Sequence, residues 1–185
     1  LLLRLGIDKP YAERLLDWLD SDSELQGGNG AEDGQYLLAT PPYRTANREI
    51  TDVSELRLLL EMEEAEYRRL LPFVSALPSE VLLNANTASA EALSASIPGL
   101  DLAQAQLLVS ERADRPFRDL PGAQARIPGA TSETVNSQQH DVRSRFFEVR
   151  VRLRLDDTVT EEHSLVVRNG LNVNVRWRER VAARP

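Results

Sequence analysis

Between Phe147 and Leu155 every second residue is apolar: Phe147, Val149, Val151, Leu153 and Leu155 alternate with Glu148, Arg150, Arg152 and Arg154. A period of two belongs to a strand with one buried face and is incompatible with a helix. Asp156-Asp157 interrupts the pattern, and Val159 to Arg168 can return beside it. Asn169-Gly170 is a tight-hairpin signal, after which Leu171, Val173, Val175 and Trp177 alternate again. The end of the chain is therefore predicted to be a three-stranded antiparallel meander with an Arg-rich outer face. So small a sheet needs something packed on its apolar face. Either a helix from the rest of the chain or sequence upstream of Leu1 must supply it.

The preceding residues read as helices and irregular connections, which makes the fold class α+β. Asp8-Lys9-Pro10 opens a first helix, with Asp8 as its expected cap and Pro10 in its first turn. Tyr11, Leu15 and Leu19 form one stripe of that helix, which should end near Asp20. Ser21 to Ile50 holds four glycines and two prolines without periodicity, and a loop of that length is usually functional or disordered. Two helical hairpins are expected next, over about 52–78 and 86–113. The first begins at the capping box Asp52-Val53-Ser54-Glu55 before Leu56, Leu59 and Leu60, and its second helix runs from about Glu63 to Pro72. The second starts at Asn86-Thr87-Ala88-Ser89, turns at Pro98-Gly99 and resumes from Asp101 to Glu111. Aligning Leu56 with Leu93 gives a weak repeat at an offset of 37 residues. Residues 114–139, rich in Pro, Gly, Ser, Thr and Gln, read as a linker. The division expected is thus a helical part over 1–139 and closing strands over 140–185.

Charge narrows the function. The net charge is −7, but residues 1–80 carry 16 acids against 8 bases while residues 140–185 carry 7 against 10. An acidic balance disfavours a polyanion partner. There is no cysteine, which excludes disulfides and thiolate chemistry. No apolar run is long enough to span a bilayer. The opening Leu1-Leu2-Leu3 has neither an initiator Met nor a cleavable signal pattern, so the chain reads as a fragment or processed piece.

Asp17, Asp20, Asp22, Glu24, Glu32 and Asp33 lie within seventeen residues that contain no base. Carboxylates so crowded repel one another unless a cation neutralises them. Hard oxygen ligands interleaved with glycines suit calcium. The loop is not an EF-hand: Asp20, Asp22 and Glu24 imitate its positions 1, 3 and 5, but position 6 is Leu25 and position 12 is Ala31. A solvated acidic turn is the alternative. The stretch Asn84 to Leu93 followed by Ile97-Pro98-Gly99-Leu100 resembles the opening of a helix-hairpin-helix DNA-binding module. Asp101 stands where a phosphate would approach, however, and residues 84–119 hold five acids against three Arg. Nor is an enzyme indicated. His140 and His163 fall in a linker and a strand without a nucleophile, and neither a Gly-x-Ser-x-Gly elbow nor a phosphate loop is present.

Several spaced blocks, taken in order, carry a resemblance. Asp17-Trp18-Leu19-Asp20-Ser21-Asp22, Gly30-Ala31-Glu32-Asp33, Tyr36, Pro41-Pro42-Tyr43 and Asn47 are similar to the signature of the K-type minor pseudopilins of type II secretion systems. Val53-Ser54-Glu55-Leu56-Arg57, Leu83-Asn84-Ala85-Asn86-Thr87-Ala88 and the terminal strands with Phe146-Phe147 resemble that family's later blocks. The resemblance runs from about Tyr11 onward. It implies a pilin-like antiparallel sheet interrupted by a large helical insertion, with the membrane-anchoring N-terminal helix and the first strands lying outside this chain. It also implies a structural calcium ion, with Asp17, Asp20, Asp22, Glu32 and Asp33 as ligands and Asn47 as a later one. Ligation by Glu24 is doubtful beside the variable spacer Gln26-Gly27-Gly28-Asn29. The implied role is non-enzymatic. A subunit at the tip of the pseudopilus would start its assembly, limit its length and support export. Its partners would be the I-type and J-type minor pseudopilins and, as a further candidate, the secreted substrate. No nucleic-acid partner is implied. The chain would lie in the periplasm, bound to the inner membrane only through the absent helix.

Overall fold

Three strands in sequence order build the sheet, as the alternation predicts: β3 (Phe146–Leu155), β4 (Thr158–Asn169) and β5 (Asn172–Val181), paired antiparallel. The computed structural model describes residues 1–77 and 81–181, so residues 78–80 and 182–185 of the expected spans lie outside the described residues. Asp156, at φ 52, and Gly170, at φ 62, supply the left-handed backbone that two-residue hairpins need.

The register departs from the sequence reading at one place. A β-bulge opposite Leu165 and Val166 inserts Arg176 as an unpaired residue in β5. Val173 and Val175 stay on the Phe147 side, but Trp177 is shifted to pair with Leu165 on the opposite side. One extra residue flips every later side chain to the other face.

Of the two covers expected for the sheet's apolar face, a helix of this chain and sequence upstream of Leu1, the structure sets aside the first. The apolar face (Phe147, Val149, Val151, Val166, Val173 and Val175) was expected to find a cover. Val151 is 40% exposed and Leu155 76% exposed. The helical part lies instead against the other face. Glu148, Arg150, His163, Leu165, Trp177 and Glu179 share a cleft with Thr51–Ser54, Tyr67 and Val74–Leu77. The Arg-rich face is therefore not wholly outward.

The remaining residues pack into two separate cores. The first gathers Ile7, Tyr11, Trp18, Ala31, Tyr36, Leu56, Leu59, Tyr67 and Leu70. It contains α1 (Tyr11–Leu19), the short α2 (Asp33–Tyr36) and α3 (Glu64–Leu70). Pro10, not Asp8, takes the N-cap position of α1, and no side chain caps it. The capping box at Asp52 and Glu55 forms as expected, but the turn it starts, Val53–Leu58, is 3₁₀ and not α. Glu55 also holds the Thr51 amide and hydroxyl, and Leu59 leaves in an extended conformation, so the segment ends before an α-helix can propagate.

The second core gathers Leu93, Ile97, Leu100, Leu108, Phe117, Ala123, Ile127, Val135 and Val142. Its hairpin is α4 (Ala90–Ser96) and α5 (Leu102–Asp114), followed by α6 (Leu120–Gln124). Residues 114–139 are thus no linker. Their Pro, Gly and Thr shape turns that bring Phe117, Ala123, Ile127 and Val135 back onto the hairpin, with Asp119 capping α6 through the Gly122 amide at 2.7 Å. His140 is likewise buried. With Asp141 it forms β2, which pairs in parallel with β1 (Leu83–Asn84). Residues 140 and 141 therefore belong with the helical part, and the three-stranded sheet starts at Phe146.

Candidate metal centre

The acidic residues are assembled by the end of α1 and the start of α2. Asp17 is fully buried in the last turn of α1, where its Oδ1 accepts a hydrogen bond from the Gln26 amide at 2.9 Å. That bond draws the loop back over the helix. Gly30 then passes so close that a Cβ there would sit 2.1 Å from Asp17 Oδ2, a position no other residue could take without displacing the carboxylate. Glu13, one turn earlier, accepts the Asn29 amide at 3.1 Å. Asp20 leaves the helix as its C-cap in extended backbone, and Asp22 Oδ1 closes a local turn on the Glu24 amide at 2.8 Å. Across the loop, Glu32 is the N-cap of α2 and its amide donates to Gln35 Oε1 at 3.0 Å.

The result is a carboxylate cluster. One oxygen each from Asp20, Asp22 and Glu32 lies within 4.8 Å of the others. Asp17 Oδ2, Asp20 Oδ1 and Glu32 Oε1 are buried and have no hydrogen-bond partner. Burial, reinforced by the negative charges of Asp17, Asp20 and Asp22, raises the Glu32 carboxyl above the usual range. Buried acceptors without donors are costly, and a hard cation held by Asp20, Asp22 and Glu32 would offset that cost. The donors are all oxygens, which fits calcium and not a metal that favours nitrogen or sulfur. Three carboxylates with Asp17 alongside leave positions for backbone oxygens or water in a shell of six to eight.

Asp33 and Asn47 are placed differently from Asp20, Asp22 and Glu32. Asp33 is engaged by Thr45, whose hydroxyl and amide reach its Oδ1 at 3.0 and 3.1 Å, and by Arg44 at 2.6 Å. The Thr45 hydroxyl first, then its amide and Arg44, lower the Asp33 carboxyl. Its side chain thus ties α2 to the 44–45 segment. Asn47, at φ 48, is exposed and donates its backbone N–H to the Trp18 carbonyl at 3.0 Å, which seats it against the end of α1. Glu24 stands outside the cluster. Sequence reasoning missed the support beneath the loop. Trp18, Tyr36 and Tyr43 pack edge to face with centroids 5.1–6.4 Å apart, and the Tyr36 hydroxyl accepts the Leu60 amide at 3.2 Å.

The α4–α5 turn shows no built anion site. Asp101 caps α5 by accepting the Gln104 amide at 2.8 Å, so a carboxylate occupies the place a phosphate would need.

Comparison with known proteins accounts for both cores. Two family models described as type II secretion system protein K match residues 1–79 and 83–143. The type II secretion system protein K of Pseudomonas aeruginosa is 45% identical over 161 residues, covering 85% of this chain and 47% of that protein. Those of Dickeya chrysanthemi and Pectobacterium carotovorum are 36% and 33% identical, each over 97% of this chain and 52% and 57% of their own lengths. The chain therefore spans about half the length of these curated relatives. A chain in the crystal structure of the GspK-GspI-GspJ complex from the type 2 secretion system of enterotoxigenic Escherichia coli superposes with a TM-score of 0.73 at 25% identity, over 98% of this chain and 69% of that one. The chain belongs to the type II secretion system protein K family.

Proposed function

We propose that this chain is the periplasmic part of a minor pseudopilin at the tip of the type II secretion pseudopilus, where it joins I-type and J-type partners, starts assembly and limits length. The observation that carries the reading is the similarity, over nearly the whole chain, to one chain of a solved GspK-GspI-GspJ complex. The bare apolar face of the sheet supports it. Exposed Val149, Val151, Val173 and Val175 form a surface that an upstream apolar helix of the longer protein would cover, and that helix would also anchor it in the inner membrane. Among the described residues no helix is long and apolar enough to cross a membrane. In this reading the protein's part is mechanical: a subunit carrying so large a helical insertion would leave no room for another stacked above it. The ion in the acidic loop is proposed to be a structural calcium, with Asp20, Asp22 and Glu32 as ligands, Asp17 completing the inner side, and Asp33 and Asn47 fixing the loop's return. It would contribute stability by mass action and no chemistry.

Co-purification of the full-length protein with the I-type and J-type minor pseudopilins tests the assembly. A stoichiometric ternary complex, together with loss of export when the gene is deleted, is the expected result. A full-length protein that elutes alone with both partners present would overturn it.

A further inference from the structure

We propose that the cleft where the helical part meets the sheet is a docking site for an acidic, apolar segment of a partner protein. The cleft has a volume of about 910 Å³ and an apolar floor that includes Phe73, Leu77, Leu83 and Phe146. Arg143 and Arg145 also line it. Both are exposed, and among the described residues neither guanidinium has a hydrogen-bond acceptor, an ion pair or a ring partner. The cleft's one carboxylate among the described residues, Asp141, directs its Oδ1 to the Val142 amide at 2.6 Å. Among the described residues, then, nothing in the protein claims the two arginines, and they are open to carboxylates from outside.

The wall that carries them is firmly held. Asn84 donates to Ser144 Oγ at 2.7 Å, Val142 is buried in the second core, and the Arg145 carbonyl accepts the Arg168 amide at 2.8 Å. The backbone beneath the arginines is thereby fixed, and a guanidinium on it can take a carboxylate in a two-pronged pair. Arg beside aromatic and aliphatic surface is also the composition favoured at protein interfaces. Charge selects the occupant. The protein is acidic overall, at −7, and residues 1–80 carry twice as many acids as bases. An acidic segment is repelled by most of this surface and attracted here, whereas a basic one would be drawn elsewhere. The apolar floor calls for a peptide with apolar side chains, not for a small anion. The proposal holds whether or not a metal occupies the acidic loop.

Fluorescence anisotropy on the full-length protein, with a labelled peptide of alternating Glu and Leu, tests it. The expected result is binding that weakens as salt rises and falls about tenfold or more in R143E/R145E, with R143Q/R145Q intermediate. Melting temperatures should stay unchanged in both variants. R118E, which alters an exposed arginine outside the cleft, should bind as the unaltered protein does. Equal affinity in the double variants would overturn the proposal. So would equal binding of a Lys–Leu peptide, or displacement by inorganic phosphate at concentrations matching those of unlabelled peptide, which would mean a simple anion site.

Discussion

The two cores face one problem and solve it in different ways. Each must fasten a long irregular segment over a small helical nucleus. In the second core the segment is tied down by amide and guanidinium groups of the protein itself. Asn86 donates to the carbonyls of Phe117 and Val142, both at 2.9 Å, and accepts the Phe117 amide at 2.8 Å, while Arg112 donates to the carbonyls of Ala85 and Ala88. In the first core the loop is drawn in by carboxylates whose remaining oxygens are buried and unpartnered. Composition alone would rank the loop over residues 21–50 and the segment over 114–139 as equals. Among the described residues, only the first brings three carboxylates, those of Asp20, Asp22 and Glu32, close enough together to share a cation. Its stability should therefore depend on calcium, and that of the second core should not.

The largest effect should come from the region that needs nothing. Leu93 is fully buried, and Leu93→Ala should cost about 2–5 kcal/mol in calcium and in chelator alike. A loss that differed between the two media would tie the cores together and break the comparison. Next in size is calcium itself. At a hundredfold excess over its Kd it should add about 2.7 kcal/mol. Thermal melts should show the gain, and Asp20→Ala/Glu32→Ala should abolish it. Smaller, and of changing sign, is Glu32→Gln. Without calcium it removes a buried, repelled charge and should raise the melting temperature by a few degrees. With calcium it removes a ligand and should lower it.

The smallest effect distinguishes the cores by pH. Burial lowers the His140 imidazole, so the unfolded chain takes up its proton first. Stability from this group is complete above about pH 6.5 and declines as the pH falls below it. Glu32 works in the opposite sense in the calcium-free protein. Its carboxyl is raised by burial and by its acidic neighbours, so the folded state takes up the proton first and gains stability as the pH falls towards 4.5. Hydrogen exchange resolved by region, between pH 7.5 and 5, should show protection falling around His140 while it holds or rises around Glu32. His140→Gln should flatten the first trend alone.

Much of this was legible in the sequence, and the failures have physical causes. The meander follows from strict alternation and two turn signals, because strand period and hairpin chemistry are local. The bulge at Arg176 has no compositional mark, and with it went the face of Trp177. Which face of the sheet the helical part covers depends on contacts between residues about a hundred positions apart. The segment 114–139 reads as a linker because its turn residues are dense. Its buried apolar residues, Phe117, Ala123, Ile127 and Val135, are too sparse for a helical or strand period to be read from them. In the acidic loop the crowding of carboxylates was plain. That Asp33 is diverted to Arg44 and Thr45 was not, since nothing in an Asp shows which partner eleven or twelve residues away will claim it.

The comparison rests on a cation in the first core, and calorimetric titration of calcium into chelator-treated protein, followed by hydrogen exchange on the same samples, tests that most directly. Saturable binding with slower exchange across residues 17–36, and unchanged exchange across 84–142, is the result this account predicts. No heat of binding, or equal protection in both cores, would contradict it and leave the acidic loop a solvated turn.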